Sequence, residues 1–213
     1  MANPKIQSRM VYRELIRNAI YDKIANGDLL PGARIIELEW AKEFSTSQAP
    51  VREALRDLES MGIIVSIPFK GTFVRQMTVK DLLDIHKVRS GLEGVALKNA
   101  ILKATDQDIN EMSAILNKMK EHTKRGEWEE FIEEDIHFHR RIVELADTTE
   151  LMKMWNLCNI KLWTKFNVKI SNANLIKFAN SHEVIYEVLK NRQIERAFDV
   201  MEHHFEEMVE DSF

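Results

Sequence analysis

Asp135 and His139 are the residues of this 213-residue chain whose types and spacing most directly suggest chemistry. Four positions apart on a helix, a carboxylate and an imidazole project from one face and can grip the same cation. Two further histidines, His182 and His204, fall on the last two helical segments, at unequal distances from the turn between them. Spacing therefore leaves open whether they meet the first pair, and the plainer alternative for each is a packing or surface histidine. His137 lies two residues from both Asp135 and His139 and points to the far side of that helix, while His203 is rotated about 100° from His204. His86 and His122 have no partner at ligand spacing. Arg89 borders an apolar face, where it can clamp an organic acid bidentately or pair with Glu93 one turn on. A hydrolytic metalloenzyme is a competing reading of an Asp/His site, but the chain has no H-E-x-x-H run and no evident nucleophile–base pair.

A second concentration of chemistry lies in residues 45–74, STSQAPVREALRDLESMGIIVSIPFKGTFV. Ser47 can cap a helix whose first turn contains Pro50, where a missing N–H costs nothing. Val51, Leu55 and Leu58 recur on one face, and Gln48, Arg52 and Arg56 point elsewhere. Gly62 stops the helix, and two β-rich runs, Ile63-Ile64-Val65 and Thr72-Phe73-Val74, flank a turn at Lys70-Gly71. A short helix with polar and basic residues near its start, followed by a small hairpin, is the pattern of a winged helix-turn-helix, which reads DNA.

Helices must position both groups. Tyr12 to Asn26 reads as an amphipathic helix with Leu15, Ile16, Ala19, Ile20 and Ile24 facing a core. Glu37 to Phe44 supplies the helix before the reading helix, with Leu38 and Ala41 inward. From Thr78, which can cap a new helix, everything reads as helical. Leu82, Ile85, Val88, Leu92 and Val95 recur at three and four along a segment ending near Lys103. Further helices are expected at 106–122, 128–146, 151–170, 175–190 and 193–209. The fold class is mainly α: an N-terminal winged helix-turn-helix with a small β-hairpin wing over residues 1–76, then an all-α six-helix bundle over residues 77–213.

Ser47-Gln48-Ala49-Pro50-Val51-Arg52-Glu53-Ala54-Leu55, with Leu58, Gly62 and the wing at Gly71-Thr72-Phe73-Val74, resembles the recognition-helix signature of the GntR family of bacterial transcription regulators. The resemblance implies DNA contacts from Arg34, Ser47, Gln48, Ala49, Arg52, Arg56, Lys70 and Gly71. The family often carries Arg where this chain has Gln48; Gln can pair bidentately with adenine, whereas Arg prefers guanine. Farther on, Asp135-x3-His139, Ser181-His182-x2-Ile185 and Ala197-x3-Met201-x2-His204 resemble the effector (FCD) domain of the FadR-like branch, and six effector helices resemble its shorter VanR-like subgroup. That resemblance implies one divalent metal held by Asp135, His139, His182 and His204, with Arg89 in the pocket of a small carboxylate metabolite. Three imidazoles and a carboxylate suit zinc or nickel and match calcium poorly. A homodimer on a pseudo-palindromic operator is implied too, as is a regulator whose signal is either the metabolite or the metal itself.

Composition agrees with this reading. Hydrophobic content of 45% and charged content of 30% describe an ordinary globular chain. No apolar stretch approaches the length of a membrane span, and the polar start MANPKIQSRM does not read as a secretory signal. One cysteine, Cys158, leaves no intramolecular disulfide and suits the cytoplasm. The net charge of −4 argues against indiscriminate nucleic-acid binding, but residues 1–75 carry 11 basic and 9 acidic groups, against 19 and 25 in the remainder. The basic excess lies with the reading head, where phosphate contact needs it.

Overall fold

The computed structural model of the protein describes residues 4–76, 78–159, 164–165 and 175–210. Two compact units divide it, Met1–Met77 and Thr78–Phe213. The first contains α1 (Pro4–Asn26), β1 (Arg34–Ile35), α2 (Glu37–Glu43), α3 (Gln48–Ser60), β2 (Ile64–Ile67) and β3 (Gly71–Val74). Ile16 and Ile20 of α1 and Val51, Ala54 and Leu58 of α3 are fully buried, and a bidentate Arg13–Asp57 pair at 2.5 and 2.6 Å ties the two helices together. The expected hairpin is one edge of a three-stranded antiparallel sheet in the order β1-β3-β2. Two residues are too few for β1 to show a period-two pattern in sequence.

Three local expectations change. α1 begins at Pro4 rather than Tyr12, with proline in its first turn, where a missing N–H is tolerated. Leu15 and Leu38 are 50% and 64% exposed, and Trp40 with Ala41 fills the inner face of α2 instead. Ser47 holds the N-cap position of α3 in extended conformation, but its side chain makes no capping hydrogen bond. At the wing turn Gly71 has φ +112, and a Cβ there would lie 3.2 Å from the guanidinium Nε of Arg34. The positive φ is what calls for glycine, since the exposed Arg34 side chain can move aside.

The second unit holds α4 (Val79–Lys103), α5 (Asp106–Arg125), α6 (Trp128–Leu145), α7 (Thr149–Leu157), α8 (Leu175–Lys190), a 3-10 turn at Ile194–Arg196 and α9 (Ala197–Glu210). Thr78 caps α4 as expected, in a reciprocal box with Asp81, and Thr105 with Asp108 does the same for α5. α9 lies close on α4: a Cβ on Gly94 would meet the Phe198 ring at 2.7 Å. The helix expected over 151–170 ends at Leu157, where Cys158 caps it and Asn159 turns left-handed at φ 48. Most of the remainder of that expectation, with the polar break at 171–174, lies outside the described residues. No helix among the described residues is long and apolar enough to cross a membrane.

The inner face of α4 is only in part the one that the apolar recurrence indicated, since Leu82 is buried and Leu92 packs against the core. Val88 and Val95 are 57% and 41% exposed, while His86, Arg89 and Glu93 are buried beside Leu82, Ala96 and Leu97. Polar side chains occupy the interior because a polar site lies there.

Candidate metal centre and nucleic-acid interface

Asp135 and His139 from α6, His182 from the middle of α8 and His204 from α9 are all buried, and one ring nitrogen from each histidine lies within 4.8 Å of the others. His139 Nε2 is 3.2 Å from His182 Nε2. Asp135 Oδ1 stands 3.0 Å from His182 Nε2 and 4.0 Å from His139 Nε2. His137 and His203 are exposed, paired with Glu134 and Glu207 and outside the cluster, as their helical positions required.

The outer sides of the three rings fix their tautomers. His182 Nδ1 donates to the Phe178 carbonyl at 2.7 Å, which can only accept. Ser181 Oγ also donates to that carbonyl, at 2.8 Å, so it accepts from His204 Nδ1 at 3.0 Å. His139 Nδ1 donates to Glu93 Oε2. A ring held in this way keeps its lone pair on Nε2 when it is neutral. With both rings neutral, His139 Nε2, His182 Nε2 and a carboxylate oxygen of Asp135 face one another as acceptors at 3.0 to 4.0 Å. His204 Nε2 and Asp135 Oδ2 are buried without a hydrogen-bond partner. Confronted acceptors in a buried site are costly unless a proton or a metal cation lies among them. Nitrogen and carboxylate donors with their outer atoms held by hydrogen bonds fit a late first-row divalent ion.

Glu93 joins this cluster to Arg89. Its Oε1 accepts from Arg89 Nε at 3.2 Å and from Trp155 Nε1 at 3.0 Å, while Oε2 takes His139 Nδ1–H. Arg89 is fully buried, its guanidinium carbon 4.5 Å from the centroid of the Phe205 ring. Its Nη1 and Nη2 are buried with no hydrogen-bond partner. Both sequence alternatives for Arg89 thus hold together, since it pairs with Glu93 and still presents open donors. Glu93, Trp155 and His86 were not singled out as site residues; the Arg89–Glu93 spacing was the available signal for the first of them.

Charge follows from this geometry. Burial opposes ionisation of Glu93, but the charges of His139 and Arg89 and the hydrogen bonds from His139 and Trp155 outweigh it and hold the carboxyl down at about 2. Burial likewise opposes ionisation of Asp135, yet its contact with His182 and the charge of His139 hold it below the ordinary carboxylate range. Burial, and then the neighbouring imidazoles, push His204 well below the usual histidine range, leaving it neutral with its lone pair available. Burial and the Arg89 charge push His86 down to about 3.

In the other unit Arg34, Ser47, Arg52, Arg56, Lys70 and Gly71 are exposed, and Gln48 and Ala49 partly so. Arg52 is held from two sides: Nε donates to Glu37 Oε2 at 2.7 Å and Nη2 to Gln48 Oε1 at 2.9 Å. Phe69, at the wing tip with φ 64, is fully exposed beside Lys70. The sequence marks Glu37 only as the start of α2, not as a partner of Arg52, and gives Phe69 no role.

A winged helix-turn-helix joined in one chain to an all-helical unit with a polar site buried in its apolar core is the architecture of a transcription regulator. Residues 12–74 match the family of bacterial regulatory proteins called gntR, and residues 84–207 match the FCD domain. The chain belongs to the GntR family in its FCD-containing form, and is a DNA-binding transcriptional regulator, not an enzyme. It is 34% identical to the "Probable D-xylose utilization operon transcriptional repressor" of Paenarthrobacter nicotinovorans over 95% of this chain and 89% of that protein. It is 26% identical to the gluconate operon transcriptional repressor of Bacillus licheniformis, over 87% and 79%. Among solved structures, Escherichia coli McbR/YncC superposes with a TM-score of 0.70 at 24% identity, covering 93% of each chain, a likeness of fold.

Proposed function

We propose that the protein is a one-component, metabolite-responsive repressor that binds a pseudo-palindromic operator as a homodimer. In this reading Asp135, His139, His182 and His204 hold one divalent metal ion, zinc or nickel, and Arg89 receives a small organic acid. The observation that carries the metal reading is the convergence of buried His139 Nε2, His182 Nε2 and Asp135 Oδ1 at 3.0 to 4.0 Å from one another. A bound ion would supply positive charge and open coordination positions to a carboxylate. The chain's own part is to orient the ligands. Phe178 O, Ser181 Oγ and Glu93 Oε2 hold the three outer ring nitrogens, and Arg89 offers Nη1 and Nη2 for a bidentate grip on an acid. Those open donors favour an organic acid as the signal over the metal alone.

Homodimerisation is supported by Val88, Val95 and Leu102, which recur at intervals of seven along α4 and are 57%, 41% and 69% exposed. Gly91, with open space around it, sits within that stripe. A heptad stripe on an exposed helix suits a second copy of the same helix. A dimer also lets two α3 helices read inverted half-sites, with Arg34, Arg52, Arg56 and Lys70 supplying contacts to bases and phosphates and Ser47, Gln48, Ala49 and Gly71 lying along the same surface. The site of action would be the cytoplasm, where the operator is.

A thermal-shift screen of organic acids tests the effector half, since a ligand of the folded form raises Tm. The reading expects a carboxylate that stabilises the protein in the presence of zinc or nickel and fails to do so with chelator. Stabilisation that ignores chelator would separate the acid from the metal and defeat this reading.

A further inference from the structure

We infer that Glu37 and Gln48 are specificity-determining residues that act by holding Arg52, and that Gln48 meets DNA as a donor. The inference rests on the reading that α3 enters the major groove. Arginine has no acceptor, so the atom of Gln48 that faces Arg52 Nη2 at 2.9 Å must be the carbonyl oxygen, and the amide orientation is set by chemistry. Gln48 lies at the first position of α3 and Arg52 one turn on; Glu37, the first residue of α2, takes Arg52 Nε at 2.7 Å. The guanidinium is thereby anchored at both Nε and Nη2, with the N–H groups of Nη1 still free of either partner.

Two consequences follow. An arginine fixed in this way is a preorganised guanine reader, because its fork needs no further ordering before it meets O6 and N7. Gln48, with its oxygen turned to Arg52, offers Nε2–H2 to the groove. That suits an acceptor edge, thymine O4 or guanine O6 and N7; adenine offers it only N7, because its N6 amino group is itself a donor. The bidentate glutamine–adenine pairing that the side chain allows in isolation is disfavoured in this setting. Glu37 also places a negative charge beside a cation that could otherwise bind any phosphate, so it lowers affinity for arbitrary duplex while sharpening choice.

The opposite signs of these effects make the test discriminating. Full-length protein is used in selections from randomised duplexes, and affinities for the selected site and a scrambled duplex are then measured at one salt concentration. For Glu37→Gln the expected result is unchanged or tighter binding to scrambled duplex and a specific-to-nonspecific ratio lowered by about 5- to 150-fold, the span of one bidentate base contact. Glu37→Asp should restore part of the ratio. Gln48→Ala should relax preference at one position where the parent protein selects thymine or guanine. An unchanged ratio in Glu37→Gln, or adenine as the base whose preference Gln48→Ala relaxes, would overturn the inference while leaving α3 as the reading helix. Absence of any selected motif with the parent protein would overturn both.

Discussion

Arg89 and Glu93, one turn apart on α4, form an ion pair at 3.2 Å from which solvent is excluded, and the pair joins the histidine cluster to two unpartnered guanidinium nitrogens. Glu93 orients His139 with one oxygen and Arg89 with the other. A buried carboxylate serving both groups gives a physical link between metal ligation and acid binding, because movement of either partner changes the hydrogen bonding of the other.

Arg89→Lys tests the acid end of that link. A lysine keeps the charge but cannot grip a carboxylate with a planar fork. Effector-dependent release from operator DNA should weaken at least about tenfold, the order expected when a charge-assisted bidentate contact is lost, with DNA affinity in the absence of effector retained. Titration of effector against a preformed protein–DNA complex reads both quantities.

Acid should destabilise the helical unit through His86. Its folded-state value of about 3 lies below the ordinary 6.5, so between those pH values the unfolded chain binds the proton that the folded chain refuses. Stability is therefore fully present above about pH 6.5 and is lost as pH falls toward 3, at up to about 1.4 kcal/mol per pH unit for this one group. Glu93, held at about 2, adds a loss that begins near its ordinary value of 4.5 and runs in the same direction. Chemical denaturation across this range in parent protein and His86→Phe should show a shallower acid slope in the variant.

The α4 stripe predicts the oligomeric state. Val95→Asp places a charge in the centre of the Val88–Val95–Leu102 line, where a second helix would have to desolvate it. Sedimentation should show a dimer in the parent protein and a dissociating species in the variant, with helical content by circular dichroism preserved because residue 95 is exposed in the chain.

At the reading head, Arg52→Ala should cost roughly 1–3 kcal/mol at the operator and relax one base position, whereas Lys70→Ala should weaken all sequences and flatten the salt dependence. Competition binding at several salt concentrations separates the two effects.

Much of this was legible in the sequence, and the failures have a common cause. Periodicity placed α3 and its buried face, and Gly62 its stop, because apolar recurrence and helix termination at a left-handed glycine are local rules. Thr78 announced α4 through a capping box that needs no tertiary context. The same periodicity was right for Leu82 and Leu92 on α4 but not for Val88 and Val95, which recur at core spacing and point outward while His86, Arg89 and Glu93 fill the interior. Apolar recurrence stands in for burial only where the interior is apolar, and a helix with a polar site on one side and an exposed stripe on the other inverts it. The four candidate ligands came from family pattern, since no spacing rule joins three helices. Their tautomers depend on Phe178 O and Ser181 Oγ, which only the folded arrangement reveals. Glu37 was legible as the start of α2 but not as the partner of Arg52, which lies 15 residues away on another helix.

The most direct test of the central claim is the metal content of purified protein equilibrated with zinc or nickel and then freed of excess. The account predicts about one ion per chain in the parent protein and in His137→Ala, and loss of that ion in His139→Ala and His204→Ala, each still folded by circular dichroism. A stoichiometry that either ligand substitution left unchanged would contradict it, and would return His139, His182 and His204 to the role of buried packing residues.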